Sequence, residues 1–205
     1  MPHDRAAAGS NDLQGLLTLS RAIDAVNYRI GKWVAWLVVA AVLVSAANAT
    51  VRKLFDTSSN AWLELQWYLF SVVFLMCAAW TLMANEHIRI DIVNNVFPKR
   101  LRNWIDVFGH LFFLLPFTLV MIVTGWPFFR ASWRVNEISA NTGGLLVWPI
   151  KLLVPVAFVF LFFQGISELI KRIAVMRGLI PDPYAGSGSS AEAEAQELIK
   201  ALENR

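Results

Sequence analysis

The sequence predicts an all-α integral membrane protein with four transmembrane helices and additional amphipathic helices at the membrane surface. Three observations carry this. Hydrophobic residues make up 57% of the 205-residue chain and charged residues only 16%, whereas soluble domains usually carry about a quarter charged residues. Four apolar runs each have the length of about 20 residues that a helix needs to cross a bilayer. The nine Trp suit interfacial belts, where one edge of the ring is apolar and the other wet.

Residues 10–12, Ser-Asn-Asp, offer helix caps ahead of Leu16, Leu19, Ile23, Val26 and Ile30, which recur at helical spacing. Arg21, Asp24, Asn27 and Arg29 take the other faces. The pattern reads as an interfacial helix feeding the first span, with packing on a partner as the alternative. No charge falls between Lys32 and Arg52, which sets TM1 at residues 33–51. Ala47-Asn48-Ala49 resembles a signal-cleavage site, but the long segment before the span argues against cleavage.

A short polar loop then leads to TM2, residues 65–85, and so makes the first two spans antiparallel neighbours. Arg52 and Glu64 lie just outside these runs and are expected to approach each other. Glu86, His87, Arg89 and Asp91 mark the exit from TM2. Their spacing allows i,i+3 and i,i+4 pairs on a helix, while the Ile88/Ile90/Ile92 alternation equally fits an extended segment.

After Pro98, Leu101, Trp104, Ile105 and Phe108 line one helical face, with Lys99, Arg100 and Arg102 on the wet side. TM3 covers residues 107–129, and Pro116 within it predicts a kink. A longer loop follows with Arg134, Glu137 and what reads as a flexible pair, Gly143-Gly144. TM4 covers 148–170, with Lys151 near its start placed to snorkel to headgroups. Residues 1–180 therefore form one four-helix membrane domain, and the Pro/Gly/Ser-rich segment 181–205 a flexible tail.

Thirteen of the eighteen Lys and Arg fall on the side of the termini and the Glu86 stretch, and five on the other. The positive-inside rule then makes both termini cytoplasmic. The basic clusters flank apolar spans, which disfavours nucleic acid as a partner. The single Cys77 excludes an intramolecular disulfide. No phosphate loop, hydrolase triad or zinc-spaced cluster is present, so no catalytic residue, cofactor or metal ligand is expected. His87 and His110 near one membrane face leave a membrane-anchored haem electron-transfer subunit as the alternative reading.

Three stretches carry a family resemblance. Asn48 to Phe55 closes TM1, Trp62-Leu-Glu64 with Tyr68-Leu-Phe70 opens TM2, and Glu86-His-Ile-Arg89-Ile-Asp91 closes it. In that order and spacing they resemble the small membrane subunit of tripartite ATP-independent periplasmic (TRAP) transporters. Ser132, Glu137-Ile-Ser139, Gly143-Gly144-Leu145, Lys151, Pro155 and Gln164-Gly165 are similar to a longer-chain branch of that family. Leu63 stands where the family often has a second acidic residue, and Leu146 where it often has proline.

The resemblance implies an accessory subunit of the bacterial inner membrane that braces a large transport subunit. In the family, a periplasmic binding protein delivers an organic acid anion and uptake is coupled to sodium. Arg52, Glu64, Glu86, His87, Arg89, Asp91, Glu137 and Lys151 become candidates for subunit contacts or structural roles.

Overall fold

The computed structural model describes residues 3–57, 59–84 and 99–181, with the side chains of 14–57, 59–84 and 101–181. The helices are α1 His3–Phe55, α2 Asn60–Ala84, α3 Lys99–Gly109, α4 Leu115–Arg134 and α5 Trp148–Met176, with a π-helical turn at His110–Leu114 between α3 and α4. Among the described residues four helical stretches are long and apolar enough to cross a membrane: Gln14–Phe55, Asn60–Ala84, Leu101–Arg134 and Trp148–Met176. Among the described residues there is no strand, only a bridge between Ile138 and Leu146.

The segment expected as an amphipathic helix continues into the first span without a break. At 1.5 Å per residue, the 53 residues of α1 form a rod about 80 Å long. Its orientation about its own axis is the surprise. Leu16, Leu19 and Val26 are exposed, while Ser20 and Asn27 are buried. Of the polar residues, Asp24 and Asn27 therefore face the bundle, while Arg21 and Arg29 stay exposed. In lipid this is the stable arrangement, because hydrocarbon solvates the apolar face and neighbouring helices satisfy the polar one.

The same inversion holds throughout. Among the described residues the buried side chains comprise nine polar or charged residues against six hydrophobic ones and Pro155. α5 is the central helix, in contact with α1, α2, α3, the π turn and α4. Glycines permit its closest approaches. A Cβ on Gly125 of α4 would meet Pro155 Cδ at 3.3 Å, and one on Gly165 would meet Leu114 Cδ2 at 3.0 Å. Gly31 of α1 lies against Trp80 of α2, where a Cβ would come within 2.8 Å of the ring.

The irregularity expected from Pro116 takes the form of the π turn immediately before it. Proline has no N–H to give to the carbonyl four residues back and its ring crowds that carbonyl, and a widened turn relieves both. Thr118, fully buried, donates to the carbonyls of Leu114 and Leu115 at 2.9 and 3.0 Å, so the polar hydroxyl is absorbed by its own helix.

α4 and α5 both end in left-handed caps. After α4, Asn136 adopts φ 45°, its N–H reaches Trp133 O at 3.2 Å, and the Glu137 N–H reaches Ser132 O at 3.1 Å. After α5, Gly178 at φ 71° repeats the pattern with bonds to Val175 and Ala174. Both are Schellman motifs, and the first fixes where Glu137 emerges.

Candidate functional site

Polar groups converge at the two ends of the bundle. At the end where α2 begins, Asn60, Glu64 and Tyr68 follow one another at i, i+4 and i+8 and form a single stripe. All three reach the loop between α4 and α5. Asn60 Nδ2 donates to Thr142 O at 2.9 Å, and Tyr68 Oη donates to Leu146 O at 2.9 Å.

Glu64, only 6% exposed, is the centre of this clasp. Its Oε1 accepts from Ser139 Oγ and, at 2.8 Å, from Asn141 Nδ2; its Oε2 accepts from the Leu145 N–H at 2.6 Å. A charged acceptor with three donors makes strong bonds. The loop is folded around it. Ser139 N–H reaches Leu145 O, Val147 N–H reaches Glu137 O, and Gly144 N–H closes a turn on Asn141 O, each at 2.9 Å. Gly143 sits at φ 71° within that turn, a conformation that favours glycine. The pair read as flexible is thus part of a defined turn.

Glu137 pairs with Lys151 near the start of α5, and the ammonium also lies 4.4 Å from the centre of the Phe128 ring. Lys151 is therefore held by a carboxylate and an aromatic face. The hydrogen bond from Lys151 lowers the Glu137 carboxyl below its ordinary range.

The expected Arg52–Glu64 pair is not formed. α1 extends through Arg52 and Lys53, which occupy its last turn and are exposed. Basic side chains suit a helix C-terminus on their own account. Glu64 turns the other way, to three donors of the α4–α5 loop. An exposed ion pair is worth little beside charge-assisted bonds to a buried carboxylate.

The other end carries a seam between α1 and α5. Asn27 Nδ2 donates to Gln164 Oε1 at 2.6 Å, and Gln164 Nε2 donates to Asp24 Oδ1 at 2.9 Å and Glu168 Oε1 at 3.0 Å. Gln164 is thereby satisfied at both ends of its amide. Lys171 bridges Asp24, at 3.1 Å, and Glu168. The hydroxyls of Ser20 and Ser167 meet at 2.7 Å, and Ser167 also donates to Asp24 Oδ1 at 2.8 Å. Beside the seam, Arg172 Nη2 pairs with Asp106 Oδ2 at 2.9 Å and joins α5 to α3.

Of the eight candidate residues, then, the structure places Glu64, Glu137 and Lys151 in one clasp and leaves Arg52 outside it. Glu86, His87, Arg89 and Asp91 lie outside the described residues. The sequence marks Tyr68 and Gln164 only through the family resemblance and Asp24 and Asn27 without partners; Asn60, Asn141 and the rest of the seam were missed. The available signal was spacing: Ser20, Asp24, Asn27 and Gly31 share a helical face, as do Gln164, Ser167, Glu168 and Lys171.

A family model described as tripartite ATP-independent periplasmic transporters, DctQ component, matches residues 41–175, well over half of the chain. The chain belongs to this family. Among curated proteins none matches it.

The DctQ component is the small membrane subunit of a TRAP transporter, and it works with a large membrane subunit and a periplasmic binding protein. The match covers the clasp and the α5 side of the seam, with Glu64, Glu137, Lys151, Gln164, Glu168 and Lys171, while Ser20, Asp24 and Asn27 of α1 precede it. The haem alternative finds no support. The family is a transporter component.

Proposed function

We propose that this DctQ subunit is the static brace of a sodium-coupled importer of organic acid anions in the bacterial inner membrane, with no catalytic role of its own. Both termini face the cytoplasm in this reading, residues 1–180 form the membrane domain, and 181–205 are a tail. The observation that carries the bracing role is the pairing of the buried polar groups with each other. Glu64, Gln164, Asp24, Glu168 and Lys171 tie helices together at two levels. An anion crossing hydrocarbon needs polar groups directed at it, and these are spent on the scaffold. Sodium coupling and the organic acid rest on what is usual in the family. The basic residue distribution supports the orientation.

In this proposal the outward apolar faces cover the large subunit, and Glu86, His87, Arg89 and Asp91 serve assembly on the cytoplasmic side. The test is uptake of labelled carboxylates into proteoliposomes under a sodium gradient, with the binding protein present. The expected result is no accumulation with this chain alone, and sodium-dependent accumulation once the large subunit is added. Uptake by this chain alone, or equal uptake by the large subunit without it, overturns the proposal.

A further inference from the structure

One face of the last turns of α4 takes part in neither clasp nor seam. Trp126, Phe129, Arg130, Trp133 and Arg134 line a groove of about 470 Å³ there. They recur at i, i+3, i+4, i+7 and i+8, and so belong to one helical face. The walls are braced by ring contacts. Phe129, 8% exposed, lies 5.6 Å from Trp126 and 5.7 Å from Trp133, and Trp133 is 4.5 Å from Trp148 of α5.

The two guanidinium groups are exposed, and neither forms an ion pair with a described residue. Glu137 is taken by Lys151 and Glu64 by the loop, and Asp56, just past the end of α1, pairs with neither arginine. The groove therefore offers unneutralised planar cations, the side-chain chemistry best matched to a phosphate.

What lies beneath them selects the kind of phosphate. Leu119, Val123 and Trp126 continue the Arg130 line along the helix at i, i+4, i+7 and i+11, and all three are half exposed or more. Trp62, Trp67, Trp126 and Trp133 stand exposed at this end of α2 and α4, as a belt at headgroup level requires. Cations at the top of an exposed apolar track fit a molecule with an anionic head and a hydrocarbon tail. We propose that this groove binds the headgroup of an anionic phospholipid, with Arg130 and Arg134 holding the phosphate and Leu119 and Val123 lying along an acyl chain.

The test is native mass spectrometry of the full chain released from micelles containing equimolar phosphatidylglycerol and phosphatidylcholine. The wild-type chain should retain phosphatidylglycerol preferentially, which needs no variant to observe. R130Q/R134Q should lower that retention by roughly tenfold or more, since each charge-assisted bond is worth at least about that factor. R52Q/K53Q removes the same charge at the same end of the bundle and should leave retention unchanged. Equal retention of both lipids, or an equal loss in the two double variants, overturns the proposal. So does full competition by soluble glycerol phosphate, which would make the groove a site for a free anion. Wild-type retention in R130Q/R134Q, coupled with failure to copurify the large subunit, would assign the groove to a protein contact and also overturn it.

Discussion

Gly144 lies directly against the carboxylate of Glu64: a Cβ at that position would come 2.8 Å from Oε1 and 2.9 Å from Oε2, and 2.6 Å from Ser139 Cβ. The glycine is needed for space, whereas its neighbour Gly143 is suited to its place by backbone angle. Gly144→Ala should displace the loop from α2 and destabilise the protein by about 1–3 kcal/mol, the usual cost of forcing a methyl into a packed site. Thermal unfolding in detergent, followed by tryptophan fluorescence, checks this. An unchanged midpoint would mean that the loop does not close on Glu64.

Removing the Glu64 carboxylate should matter more than removing Arg52. Glu64→Ala leaves Ser139, Asn141 and the Leu145 N–H without their acceptor, whereas Arg52→Ala removes an exposed side chain. Unfolding midpoints should fall for the first and stay close to wild type for the second. Exchanging the charges, Arg52→Glu with Glu64→Arg, should fail to rescue the single Glu64→Arg variant. Rescue would restore the direct pairing expected from the sequence.

The seam depends on its single ammonium. Lys171→Met removes the ammonium that Asp24 and Glu168 share. Breaking a buried pair in this way costs about 3–5 kcal/mol. Lys171→Arg should recover part of this loss. The comparison is made by chemical unfolding, and a methionine variant as stable as wild type would show that the two carboxylates do not rely on Lys171.

Acidification should loosen the α4–α5 loop. The Glu137 carboxyl is lowered by its bond from Lys151, so the contact contributes fully above the ordinary glutamate value, about 4.3. It is lost as the pH falls below that value through the folded-state one. Hydrogen exchange at the Val147 amide, which bonds to Glu137 O at 2.9 Å, should accelerate over that range after correction for intrinsic rates. Glu137→Gln should remove the acid-dependent part of the change. A wild-type profile identical to that of the variant would contradict the pairing.

Run lengths and charge placement made the four spans legible, because a helix in hydrocarbon announces itself by length alone. Glu64, Glu137 and Lys151 were legible as candidates. Their true partners were not, since proximity in sequence favoured Arg52 while the contacts of Glu64 come from 75 to 81 residues away. The seam was hidden by a habit from soluble proteins. An amphipathic stretch normally turns its apolar side inward, and Leu16, Leu19 and Val26 do the reverse. Glu168 was hidden differently, inside a run whose mean apolarity masks one carboxylate.

The unbroken course of α1 makes its rotational phase a shared constraint. Asp24 and Asn27 must point at α5, while Gly31 must present its bare Cα to Trp80 of α2. Each residue added to an α-helix turns everything beyond it by about 100°. One alanine inserted between Asn27 and Gly31 would set the two ends of the rod out of step, and no side-chain adjustment at either contact could bring them back. The same insertion ahead of Ser20 leaves these contacts in step with one another. The helix is keyed from Ser20 onward.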